Sequence, residues 1–114
     1  MKILIEELQE YLYDYYINGG NDQSLFMKLV EEIGEVAEVL NKKAGRKHVG
    51  DEDLKSQLGN ELADVIHYAV AIAALNDIDI NDIIIDKDKF ASIKYNHKHN
   101  LEQFILGRRL NKNK

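Results

Sequence analysis

Apolar residues recur along most of this chain at helical intervals. Leu4, Leu8, Tyr11, Leu12 and Tyr15 follow the i, i+4, i+7 rule and predict a first helix over residues 3–17, with Tyr11 and Tyr15 in the core phase. Asn18, Gly19, Gly20, Asn21 and Asp22 interrupt it, because Gly and Asn tolerate left-handed backbone and Asn or Asp can cap the next helix. A second helix is predicted over residues 23–44, with Leu25, Phe26, Leu29, Val30, Ile33, Val36, Ala37 and Leu40 on one side. Gly45 is its stop, and Lys42 and Lys43 suit the negative end of its dipole. Residues 46–50 read as a loop, and Asp51, Glu52 and Asp53 as a capping cluster for a third helix reaching about Asn76. After a turn at residues 77–79, Asp79 or Asn81 caps a fourth helix ending near Asn96. Ile83, Ile84 and Ile85 would also suit a strand, but one isolated strand has no partner, so helix is the reading. Beyond Asn100, Leu101, Phe104, Ile105 and Leu110 predict a short docking helix, followed by a frayed basic end over residues 111–114. The expected fold is all-α and four-helix bundle-like, a single domain over residues 1–114.

The third helix bears on assembly. Leu62, Val65, Ile66, Ala69, Val70, Ile72 and Ala73 cover far more than one stripe, and a helix apolar nearly all round must be buried nearly all round. Four helices can hardly surround one of their own members, so a homo-oligomer, dimer or tetramer, is expected to complete the core.

Composition narrows the function. In 114 residues, 45% are hydrophobic and 31% charged, enough apolar material for a core and too much for a disordered tail. A net charge of -5 leaves no electrostatic footprint for a polyphosphate backbone, so no nucleic-acid partner is expected. The absence of Cys excludes disulfides, thiolate zinc sites and a cysteine nucleophile, and zero Pro with 7 Gly favours a few long helices over many short strands. The opening run Met1–Ile5 meets Glu6 and Glu7 too soon for a signal-peptide core. The apolar stretch 62–75 contains Asp64 and His67 and falls short of the roughly 18 uninterrupted residues of a membrane span, so a cytoplasmic protein without a membrane partner is expected.

The carboxylates carry the chemistry. With 20 acidic residues, about three i, i+3 acidic pairs arise by chance, so spacing alone says nothing and azimuth decides. Glu31 and Glu38 point away from the apolar side, whereas Glu32 falls between Val39 and Val36 inside the apolar arc, with Glu35 at its edge one turn along. The third helix repeats this: Glu61 falls between Tyr68 and the Leu54/Ile72 ridge, and Asp64 lies at the rim beside Ala71. Clustered carboxylates in an apolar setting repel one another unless something cationic sits among them. No Lys or Arg lies on the apolar arcs nearby, which leaves a metal ion. An all-oxygen set suits Mg²⁺, with Mn²⁺ able to substitute, while zinc would want imidazole and His67 points to the opposite side. Mg²⁺ seeks phosphate oxygens, so a di- or triphosphate is the natural ligand.

The run Leu29, Val30, Glu31, Glu32, Ile33, Gly34, Glu35, followed after a gap of 25 residues by Glu61, Leu62, Ala63, Asp64, resembles the EExxE and ExxD motifs of the MazG-like nucleoside triphosphate pyrophosphohydrolases of the all-α NTP pyrophosphatase superfamily. The resemblance covers roughly residues 25–96. It implies Glu32, Glu35, Glu61 and Asp64 as Mg²⁺ ligands, Glu31 as an accessory acid, and a helical bundle completed by oligomerisation. It also implies the reaction: a nucleoside triphosphate cut between its α and β phosphates, giving monophosphate and pyrophosphate. Such proteins often carry a Lys, an Asn and then an Arg in the helix after the second motif. Here Asn96 is present, but His99 stands for the Arg and Ser92 for the Lys, with Lys94 or Lys98 as substitutes.

In this reading Glu35, with Glu32, does the catalytic work, Glu35 sharing the role of base. Lys47, in the basic stretch Lys42, Lys43, Arg46, Lys47 and His48, could close on a triphosphate; helix-dipole complement and solubility account for the same residues. Tyr11, Tyr13, Tyr15 and Tyr16 offer stacking faces for a base, although Tyr11 and Tyr15 read as packing. His97 and His99, two apart, do not face one ligand. The competing readings are a non-catalytic helical module that binds metal or a protein partner, and a phosphoribosyl-ATP pyrophosphohydrolase-like enzyme.

Overall fold

The computed structural model describes residues 1–45 and 53–113. Among them are five α-helices and no strand: α1 (Ile5–Tyr16), α2 (Asp22–Lys43), α3 (Leu54–Leu75), α4 (Ile80–Lys94) and α5 (Leu101–Lys112). The all-α class is as expected, the helix packing is consistent with a bundle, and the short helix expected beyond Asn100 is α5. The isoleucines 83–85 are helical. The loop 46–50 and the first two residues of the expected capping cluster, Asp51 and Glu52, lie outside the described residues, as does Lys114.

Polar caps set where the helices begin. The side-chain oxygens of Asn21, Asp53, Asp79 and Asn100 accept from the backbone N–H groups of Ser24, Ser56, Asp82 and Gln103 at 2.8–3.1 Å. Asp79, not Asn81, is therefore the α4 cap. The Gln103 side chain returns the bond to the Asn100 N–H, closing a capping box that starts α5. Left-handed residues end the helices: Gly45 after α2, Asp77 after α3 and Asn96 after α4. At α4 the His97 N–H then donates to the Ser92 carbonyl at 2.8 Å. Gly20 is required for space, because a Cβ there would lie 2.9 Å from the Tyr16 Cβ in the tight turn between α1 and α2.

The chain divides into two compact units, Met1–Ile78 and Asp79–Lys114. In the first, α1 and α2 both pack on α3. Asn76 at the end of α3 donates to Asp22 at the start of α2 (2.8 Å), while the middles of the two helices also meet, so they run antiparallel. The Gln9 amide donates to the Ile78 carbonyl and Tyr16 bonds to His67, so α1 is antiparallel to α3 as well. Leu12, Leu25, Val70 and Ala71 form the buried core, with Ile5, Leu8, Tyr16, Tyr68, Ile72 and Leu75 packed around it. This corrects the phase of α1: Leu12 is fully buried, whereas Tyr11 and Tyr15 are 61% and 66% exposed. The inward stripe is Ile5, Leu8, Leu12 and Tyr16, which leaves Tyr11 and Tyr15 on the outside.

The apolar arc of α2 resolves into two parallel stripes. Leu25, Leu29, Val36 and Val39 turn inward, while Phe26, Val30, Ile33, Ala37 and Leu40 are exposed one residue further on. On α3, Val70, Ala71, Ala73 and Ala74 are buried, but Leu62, Ile66 and Ala69 are exposed, so this chain alone does not cover the helix all round. α3 is long enough, with mean hydropathy 1.2 over 18 residues, to meet the length-and-composition test for a membrane span. It carries Glu61 and Asp64 within that length, each of which would be costly in hydrocarbon.

In the second unit, Asp88 of α4 accepts from the Leu101 N–H at 2.6 Å, and Lys89 pairs with Glu102 at 3.0 Å. Ser92 is buried and its hydroxyl donates to the Lys89 carbonyl. The expected frayed end is corrected here, since α5 runs on through Asn111 and Lys112.

Candidate metal centre

Glu32 belongs to the inner stripe of α2, at the helix position where Leu29 and Val36 flank it one turn either way. Its side chain is therefore half-buried, as is that of Glu61 on α3, while Glu31, Glu35, Glu38 and Asp64 are exposed. The inset and rim positions read from the helical wheel thus match the burial. Glu32, Glu61 and Asp64 each bring one carboxylate oxygen to within 4.8 Å of the others. Glu35 is not in that converging set, but it is the first hydrogen-bond partner of Glu61. Glu61 is the hub of the four.

The electrostatics follow from this crowding. Hydrogen bonds with Glu35 first, then Glu32, followed by desolvation and the charges of the same two neighbours, push the Glu61 carboxyl up to about 8. A carboxyl that keeps its proton can donate to the carboxylates facing it, which is the only way such a trio shares hydrogen bonds. One oxygen each of Glu32 and Glu61 is nevertheless buried with no hydrogen-bond partner. Buried polar atoms rarely go unpaired, and two such carboxylate oxygens on adjoining helices fit a divalent cation.

Among the described residues the neighbouring base is Lys28, one turn before Glu32. It is spent elsewhere: its ammonium lies 3.3 Å from Glu31 on the exposed face, and hydrogen bonding to Glu31, ahead of the charges of Glu31 and Tyr68, raises it. The i, i+3 spacing of Lys28 and Glu31 was visible in the sequence. Hard, all-oxygen donors with two deep and two rim carboxylates fit an octahedral, water-retaining divalent ion better than zinc. His67 turns away from the cluster and bonds through Nε2 to the Tyr16 hydroxyl at 2.7 Å. That contact joins residues 51 apart, and nothing local in the sequence announces it.

Lys94, Asn96 and Lys98 lie in the second unit. Lys94 sits 5.4 Å from the Tyr95 ring centre, Asn96 is the left-handed residue that ends α4, and Lys98 is exposed. His99 lines an open groove along α5 with Gln103, Phe104 and Arg108. Ser92, in the place of the expected Lys, is buried and bonded to the Lys89 carbonyl. Lys47 lies outside the described residues.

Two antiparallel helices that bring inset carboxylates together form an acidic cluster that could hold a divalent ion. The model of the MazG nucleotide pyrophosphohydrolase domain matches residues 20–100, which span α2, α3, α4 and both acidic motifs, and the chain belongs to that family. No curated protein matches the chain significantly.

Proposed function

We propose that this protein is a Mg²⁺-dependent nucleoside triphosphate pyrophosphohydrolase that cuts the bond between the α and β phosphates and serves nucleotide-pool house-cleaning. The observation that carries the reading is the pair of buried, unpartnered oxygens of Glu32 and Glu61, converging with Asp64 within the family's acidic motifs. Glu32 and Glu61 would hold the ion from the deep side, Asp64 and Glu35 from the rim. A divalent ion bound there supplies positive charge against the phosphate oxygens and acidifies water. Glu35, exposed beside Glu61, accepts the proton of the water that attacks the α phosphorus. The bond from that phosphorus to the bridging oxygen breaks, and pyrophosphate leaves. Glu31 stays outside, paired with Lys28.

The assembly is part of the proposal. The exposed stripe Phe26, Val30, Ile33, Ala37 and Leu40 on α2, together with Leu62, Ile66 and Ala69 on α3, gives the first unit an apolar face whose cover a second copy supplies. The activity is tested by measuring pyrophosphate release from a panel of nucleoside triphosphates with Mg²⁺. Glu32→Gln and Glu61→Gln should each abolish it and leave the helical circular dichroism intact. Retained turnover in either variant overturns the assignment.

A further inference from the structure

Two helices carry charge that nothing in this chain answers. α1 holds Glu6, Glu7, Glu10 and Asp14 with no Lys or Arg, alone among the five helices in having acids and no base. Beyond Gln103, α5 holds Arg108, Arg109 and Lys112 and no acid. None of these seven side chains has an ion-pair partner among the described residues. The helix dipole accounts for some of them, since Glu6 and Glu7 stand in the first turn of α1 and Arg109 and Lys112 in the last turn of α5. It leaves Glu10 and Arg108 unexplained, and Asp14 lies at the end of α1 where a negative charge is unfavourable.

Both surfaces are apolar where they are not charged. Tyr11, Tyr13 and Tyr15 are exposed on α1, and Phe104, Leu106 and Leu110 on α5, in which every residue from Leu106 to Asn113 is exposed. A stretch of helix this short, packed on nothing, draws little stability from its own hydrogen bonds. The open groove along it, of about 510 Å³, is lined by Phe104, Gly107, Arg108 and Lys112. A Cβ at Gly107 would meet no heavy atom within 4 Å, so packing within this chain gives no reason for glycine where alanine is the better helix former. The gap has room for a ring from outside.

We propose that the free half of α5 is an arm that docks on α1 of a second copy of this chain. Arg108 and Lys112 are one helical turn apart, about 6 Å along the axis, and so are Glu10 and Asp14, so two bases meet two acids in register. Tyr13, between those acids in sequence, seats at the Gly107 gap. Both surfaces are bare in the single chain, and a second copy brings both halves of the match. By twofold symmetry each arm meets the other copy's α1. Two exposed charge pairs and a few apolar side chains are too little to hold two copies by themselves. The arm therefore reinforces the proposed α2 and α3 interface, and the inference rests on that reading.

The test is the self-association constant of the full chain by analytical ultracentrifugation. Arg108→Glu with Lys112→Glu should weaken association about tenfold or more at low salt, less above about 0.5 M salt, and leave the circular dichroism intact. Glu10→Lys with Asp14→Lys should do the same, and all four changes in one chain should restore the constant to within about threefold. The chain has no Cys, so Tyr13→Cys and Gly107→Cys placed in separate, co-expressed copies should form a disulfide between chains only in the mixture. Unchanged association in the charge reversals, no rescue by the swap, or no disulfide in the mixture overturns the arm. Ile33→Glu still lowering the mass would then leave the α2 and α3 interface standing. A disulfide closing within one chain that carries both cysteines, at monomer mass, would put the arm on its own α1 and also overturn the proposal. If the unaltered chain is a monomer, arm and interface fall together.

Discussion

Raising the pH should tighten divalent-ion binding steeply through neutrality, and the size of the effect follows from one residue. In the proposed site metal binding requires the Glu61 carboxylate, yet its neighbours Glu35 and Glu32 hold it up to about 8 in the metal-free protein. About 1% of it is ionised at pH 6, about 9% at pH 7 and half at pH 8, so apparent affinity rises about 50-fold between pH 6 and pH 8 and levels off above pH 9. At pH 7 each ion bound should release close to one proton. Calorimetric titration with Mg²⁺ or Mn²⁺ in buffers of different ionisation enthalpy measures both quantities at once. A flat affinity from pH 6 to 8, with no proton released, would show that Glu61 is not a ligand or that the carboxylates do not face each other.

The same group fixes the sign of a stability effect. Its folded value lies above its ordinary 4.5, so between these limits the folded chain binds the extra proton. Stability from this group is therefore greatest below about 4.5 and is lost as pH rises through about 8. Melting temperatures of the metal-free protein should fall over that window, and saturating Mg²⁺ should remove the slope. Glu61→Gln, which keeps a donor and cannot ionise, should also remove the slope while failing to bind the ion.

Further predictions concern the scaffold and the assembly. Leu12→Ala removes the largest completely buried side chain of the core between α1 and α3 and should cost about 2–5 kcal/mol in urea unfolding. Gly34→Ala places a methyl where no heavy atom lies within 4 Å and should stabilise α2 by about 0.5–1 kcal/mol, read as a higher melting temperature. Ile33→Glu puts a charge at a position 52% exposed in the single chain, so it should leave the circular dichroism unchanged. By light scattering the same variant should reduce the mass to that of a monomer, and an unchanged mass would overturn the proposed interface.

What the sequence disclosed, and what it hid, divides along the line between one helix and two. The place of Glu32 within the inner stripe of α2 is a property of a single wheel, and the half-buried Glu32 and Glu61 beside exposed Glu35 and Asp64 follow it. Capping is equally local: Asn21, Asp53 and Asp79 all lay in the text, and so did Asn100 with Gln103, the box that starts α5. The phase of α1 could not be decided this way. With apolar or aromatic residues at 4, 5, 8, 11, 12, 15 and 16, two adjacent stripes compete, and only the surface of α3 selects Leu12 over Tyr11. The Tyr16–His67 bond and the split of the α2 arc into covered and uncovered stripes are tertiary facts of the same kind.

These two kinds of fact meet at the carboxylates. Glu32 and Glu61 each replace what would be an apolar residue on the covered side of a long helix, and the antiparallel pairing of α2 with α3 sets the two replacements opposite each other. A helix pair selected for stability alone would carry leucine at both places, since a facing ionic pair seldom outperforms well-packed hydrocarbon and a facing like-charged pair is worse. A proton retained on Glu61 relieves the repulsion of the pair, and in the proposed site the same acid would have to ionise to receive the ion, so that proton and cation would compete for one position.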